Sequence, residues 1–228
     1  MIRLMAVALF ALALPAQDAT DVYYVVLLRR APGLKALAPE ESTRIQTAHM
    51  ANIQSMAARG VLVAAGPFGD TPSVIAGIFV FKTASLAEAR RLAEQDPTVL
   101  EHRNLVEVFP WRGPRGIGGE YARLHKADPK TPEDMGVHPL QMLYWSAGER
   151  KPELVRAHAQ YVARLQREGK VAAAGHVEGD YPLAGILVFN RIPMEEAERL
   201  TAADPAVSAG LLRTESHRWW SAAHVLPE

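Results

Sequence analysis

Two histidines are each followed, at nearly the same distance, by an aspartate that precedes a proline: His49 by Asp96-Pro97, and His158 by Asp204-Pro205. A carboxylate beside an imidazole fixes its tautomer, favours its charged form and gives a general acid–base for moving a proton near neutral pH. His49, Asp96, His158 and Asp204 are therefore the candidate catalytic residues. Both types have plainer uses, since an inward histidine is often a core residue and aspartate before proline can simply end a helix. Much other chemistry is excluded. The 228 residues include no Cys, which removes disulfides, thiolate zinc sites, iron–sulfur clusters and a cysteine nucleophile. No helical metal pair, G-x-S-x-G elbow or Walker loop occurs, and Gly116-Ile117-Gly118-Gly119 has no strand before it. Neither a metal nor a cofactor is expected. His102, His125, His138, His217 and His224 fall at strand edges, in a linker or in the tail, and His176 reads as a surface residue.

The elements that position the two pairs repeat. His49, Gly60, Gly66, Gly77, Phe81, Asp96-Pro97 and Trp111 are matched by His158, Gly169, Gly175, Gly185, Phe189, Asp204-Pro205 and Trp219. The spacers agree apart from one residue in one loop, which makes the chain a tandem duplication. Each copy reads strand, helix, strand, strand, helix, strand. In the first, residues 22–28, 61–66, 75–82 and 104–109 are strands, with turn residues Gly69-Asp70-Thr71-Pro72 between the second and third. The first helix starts near Pro39 and ends at Gly60. The second opens with the capping box Ser85-Leu86-Ala87-Glu88 and stops before Asp96-Pro97. The second copy gives 141–146, 152–168, 171–177, 185–190, 193–203 and 211–218. His158 lies on the inward stripe Leu154, Ala157, His158, Tyr161, Val162, Leu165, and His49 on Ile45, Ala48, His49, Ile53, Met56. The Gly- and Pro-rich stretch 112–139 reads as a surface linker. Trp111, Trp219 and Trp220 close the fourth strands and are expected to pack against the end of the barrel described next.

Ile78-Phe79-Val80-Phe81 and Ile186-Leu187-Val188-Phe189 show no polar alternation, so both faces of each sheet are apolar. Two helices per copy cover one face only. The other must meet a second layer, and the sheet of the other copy is the natural partner, giving an internal pseudo-dimer. The 25 basic and 25 acidic residues offer no basic face for nucleic acid, and 49% hydrophobic with 22% charged residues excludes a disordered chain.

At the start, Arg3 precedes an apolar run from Leu4 to Leu14, then Pro15-Ala16-Gln17. That is the layout of a secretory signal, too short for a membrane span, with cleavage expected after Ala16 and no stable membrane anchor. The expected location is periplasmic or secreted. The chain then divides into a signal peptide 1–16, a first domain 21–111, the linker 112–139 and a second domain 140–220.

The inward helical His, Ala64-Ala65-Gly66-Pro67, the Asp-Pro and the closing strand Val106-Glu107-Val108-Phe109-Pro110-Trp111 resemble the YCII-related (YciI-like) family. The second copy matches at His158, Ala173-Ala174-Gly175 and Asp204-Pro205. The resemblance implies an α+β fold: two ferredoxin-like (βαββαβ) units packed sheet to sheet as an intramolecular dimeric α+β barrel. It implies a His–Asp site in a small cavity, carried here by His49 with Asp96 and by His158 with Asp204. Most of the family has no established activity. Some members are linked with cofactor-independent lyase or isomerase steps, here on a small organic acid or phenol. The alternative is a non-catalytic module that binds a small-molecule ligand, and some similar barrels hold haem through a His. The chain departs from the family pattern at Gln46 and Val155, where an Arg is common three residues before the His, and at Gly175-His176, where the first copy has Gly66-Pro67. Amino-terminal sequencing of the exported protein is expected to begin at Gln17; an uncleaved Met1 would remove the signal reading.

Overall fold

The computed structural model describes residues 20–69, 73–132 and 134–227. The expected signal peptide 1–16 and residues 70–72 of the expected turn lie outside the described residues. The first copy comprises β1 (Thr20–Arg30), α1 (Pro39–Ala58), β2 (Leu62–Pro67), β3 (Ile75–Phe81), α2 (Leu86–Glu94), α3 (Pro97–Leu100) and β4 (Asn104–Pro114). After α4 (Gly119–Ala127) the second copy repeats the order as β5 (Met135–Trp145), α5 (Pro152–Arg167), β6 (Val171–Val177), β7 (Leu183–Phe189), α6 (Met194–Ala202), α7 (Pro205–Ser208) and β8 (Leu212–Ala222). The short helices α3 and α7 were not expected. Each begins at an Asp-Pro, where the aspartate side chain accepts the amide two residues on and proline occupies the first helical position.

The strands follow the order β2-β3-β1-β4-β6-β7-β5-β8, with every pairing antiparallel. The halves do more than face each other, because their edge strands share hydrogen bonds. Trp111 and Arg112 of β4 pair with Val177 and His176 of β6. At the opposite seam Phe68 bridges to Trp219, and the Gly69 amide donates to the Arg218 carbonyl at 2.8 Å. The ring thus nearly closes into an eight-stranded barrel, with β2 and β8 joined at that bridge, so little of the sheet edge is left free.

The apolar strands gain two destinations for their side chains. Val25, Leu27, Ile78 and Val80 meet Leu140, Met142, Ile186 and Val188 inside the barrel, together with Trp111 and Trp219. Phe79 and Phe81 point outward into the core under the first copy's helices, as Leu187 and Phe189 do in the second. Fully burying such a side chain contributes about 1.5–3 kcal/mol, so both faces are bound into the fold. Trp220 alone of the closing tryptophans is exposed.

The stretch 112–139 is not a surface linker. Its ends extend β4 and β5, and α4 lies between them. Ile117 is buried in the barrel core, and the Gly118 amide donates to the Val225 carbonyl at 2.7 Å, which ties α4 to the C-terminal tail. The helix itself fully buries no residue, so it leaves no apolar period in the sequence.

The matched glycines Gly66 and Gly175 mark the two seams. A Cβ on Gly66 would collide with the Trp220 carbonyl and the Trp219 indole, and one on Gly175 with the Arg112 carbonyl and the Trp111 indole. Overpacking against backbone costs about 1–3 kcal/mol. Gly66→Ala is expected to lower stability by that amount in urea denaturation, whereas Gly119→Ala, with nothing near its added methyl, is expected to be neutral. Equal midpoints for the two variants would contradict this account of the seam.

Candidate functional site

His49 sits on α1, which opens with Pro39, Glu40 and Glu41 where the helix dipole favours them. Asp96 follows α2 and is wholly buried. The fold brings the two together: His49 Nδ1 lies 2.9 Å from Asp96 Oδ1 and 2.8 Å from Oδ2. The carboxylate is held from three further directions. Asn52 Nδ2 donates to Oδ2 at 3.0 Å, while the Thr98 amide and hydroxyl donate to Oδ1 at 3.0 and 2.6 Å. Asn104 Nδ2 in turn donates to the Thr98 hydroxyl at 2.9 Å. Burial pushes the Asp96 carboxyl up, but the hydrogen bonds from His49 and Thr98, the charge of His49 and the Asn52 amide outweigh it and hold the group below 3.8. An ionised Asp96 requires the His49 proton on Nδ1, so in the neutral ring Nε2 carries the lone pair.

The second pair also forms, with His158 Nδ1 2.6 Å from Asp204 Oδ2 and the Ala206 amide donating to Oδ1 at 2.8 Å. Its support is thinner. Tyr161, Ala206 and Leu212 stand where the first copy has Asn52, Thr98 and Asn104, and the Tyr161 hydroxyl donates instead to the Leu200 carbonyl at 2.8 Å. Capping and pairing are thus not rival explanations of Asp-Pro: one carboxylate caps a short helix and holds the imidazole.

His49 lines a cleft of about 1170 Å³ between α1, β2, β3 and α4. Leu34, Met50, Ile53, Phe79 and Met135 make its apolar wall, and α4 contributes Tyr121, Ala122 and His125. His125 was read as a linker residue. Its Nδ1 donates to the Tyr121 carbonyl at 3.0 Å, its ring stacks on Tyr121, and its Nε2 is buried without a partner.

Other histidines correct the sequence reading. His217, expected at an edge, is buried; it stacks on Phe68 at 4.2 Å and lies 3.1 Å from Glu215 Oε1, lowering that carboxyl. Burial pushes nearby Tyr144 up to about 12, with the Glu215 charge adding to it. His138 Nδ1 donates to the Phe189 carbonyl, and burial lowers its pKa. His176 is exposed, as a surface residue should be. Among the described residues, no group of three or more His, Asp or Glu is placed to hold a metal ion, and no helix is long and apolar enough to cross a membrane.

The profile of the YCII-related domain matches residues 22–112 and again 120–219. The chain belongs to the YCII-related family. Its two YCII-related copies account for the repeat, and together they form the barrel that single sheets could not close. No curated protein matches it. A crystal structure of a chlorite dismutase-like protein is similar in fold, with a TM-score of 0.57 at 9% identity, over 91% of this chain and 95% of that one.

The lowered Asp96 carboxyl gives this YCII-related chain a signed pH dependence. A group whose pKa falls on folding adds stability above its unfolded value, and that stability is lost as pH drops through the folded one. Hydrogen bonds to a charged group are worth about 1.5–3 kcal/mol. Asp96→Asn is therefore expected to cost about 2 kcal/mol near neutral pH, a gap that shrinks below pH 3.8. A gap between wild type and variant that stays constant in denaturation from pH 7 to pH 3 would contradict the assignment.

Proposed function

We propose that this YCII-related protein is a cofactor-independent lyase or isomerase that moves a proton on a small organic acid or phenol at the His49–Asp96 pair. The carrying observation is that His49, oriented through Nδ1 by a buried and fully hydrogen-bonded carboxylate, lines a cleft large enough for a ligand. Nε2 removes a proton from a carbon next to a carbonyl, and the C–H electron pair becomes the enolate. The imidazolium, stabilised by Asp96, returns that proton at another carbon or to a leaving group. Asp96 keeps its charge throughout and acts as a positioning residue. Within this reading the second pair, His158 with Asp204, repeats the geometry with weaker support, and the protein works outside the cytoplasm on the strength of its signal-like residues 1–16.

A second reading has the cleft capture its ligand without turnover. It is favoured by the volume of about 1170 Å³, which exceeds the usual 300–1,000 Å³ of small-molecule sites. One experiment separates the two. Carboxylic acids and phenolic ketones are incubated with the protein in D2O, and deuterium uptake is followed by mass spectrometry. The catalytic reading expects exchange that falls about 10²–10⁴-fold in His49→Gln. Saturable binding with no exchange in the wild type would establish capture and reject catalysis.

A further inference from the structure

The cleft beside His49 carries a charge imbalance that the His–Asp pair does not explain. Among the described residues, four cationic side chains line it, Arg30, Lys82, Arg103 and Lys126, and no Asp or Glu does. Lys82 is engaged by Asp21 at 2.7 Å. Among the described residues the other three pair with no carboxylate; Arg30 and Arg103 donate to the backbone carbonyls of Ser73 and Lys35, at 3.2 and 3.0 Å. Arg30 and Lys126 are exposed and Arg103 is half-buried, so water screens part of their attraction, but a wall whose described residues carry cations and no acid still favours an anionic group over a cationic one.

The set belongs to one half only. By strand register and repeat spacing, Trp145, Asn190 and Leu211 stand where the first copy has Arg30, Lys82 and Arg103. Lys126 lies on α4, which runs between β4 and β5. The remaining wall is apolar, with Leu34, Met50 and Met135 left partly exposed along it.

We propose that the cleft between α1 and α4 binds an elongated amphipathic anion, such as a long-chain or polycyclic carboxylate, and that the second half has no equivalent site. The inference rests on His49 marking the reactive edge of the cleft, and it replaces a small phenol by a larger substrate with an anionic head. Fluorescence titration of the full chain tests it with a matched pair of probes: anilinonaphthalene sulfonate, an anion, and neutral N-phenylnaphthylamine. The expected result is one saturable site per chain, with the anion preferred by about tenfold or more. Dodecanoate should displace the anionic probe and dodecyltrimethylammonium should not. Ala122→Trp, which fills the α4 wall, should abolish binding, and Arg30→Gln with Arg103→Gln and Lys126→Gln should erase the anion preference. Equal affinity for the two probes, displacement by the cationic detergent, or two equivalent sites would each overturn the proposal without any variant having to fold. Deuterium exchange with no anion preference would sink this inference and leave proton transfer standing, whereas anion-selective binding without exchange would do the reverse.

Discussion

Each half of this protein has a sheet with two apolar faces and helices enough for one of them. Water cannot be left on the other face of Ile78, Val80, Ile186 and Val188, and the chain resolves the excess internally by setting the second copy against the first. Everything else in the molecule depends on that closure. It fixes the height of the helices above the barrel, and hence the depth at which α1 and α5 carry their histidines. It also explains the glycines at matched positions in the repeat, because the seams need backbone against backbone at Gly66 and Gly175.

The barrel is symmetric where stability requires it and asymmetric around its two His–Asp pairs. Both copies keep the imidazole on a buried aspartate, since the same carboxylate caps the short helix after it. Around the first pair the sequence has added Asn52, Thr98 and Asn104, so the carboxylate is satisfied on every side. In the second copy apolar residues and a tyrosine occupy those places. A duplicated chain can let one half serve as scaffold, because the covalent connection keeps the two halves in a fixed ratio of one to one.

The helix α4 is the clearest departure from a simple pair of repeats. It is held at its start by Ile117 in the barrel core and by the C-terminal tail, and its body stands over the first half as a wall of the cleft. Tandem fusion therefore supplies more than a covalent link: the connecting segment itself becomes part of the cleft wall.

The duplication and the strand–helix–strand–strand–helix–strand order of each copy were legible in the sequence, and His49 with Asp96 and His158 with Asp204 stood out in it as candidate pairs. These are carried by local signals: matched spacers, unbroken apolar strands, a capping box, and proline after aspartate. It did not reveal that Thr98 and Asn52 complete the first carboxylate's shell, because Asn52 lies far from Asp96 along the chain and only the packing of α1 on α3 joins them. It misread His217, whose neighbours Glu215, Ser216 and Arg218 look like an exposed strand although one face enters the barrel. It misread 112–139 as well, since a nine-residue helix that buries nothing fully has no hydrophobic period to show. The convergence of Arg30, Arg103 and Lys126 on one cleft is decided by the tertiary structure alone. Isolated cations on three separate elements have no pattern in one dimension, and charge acquires direction only when the fold brings them to a common surface.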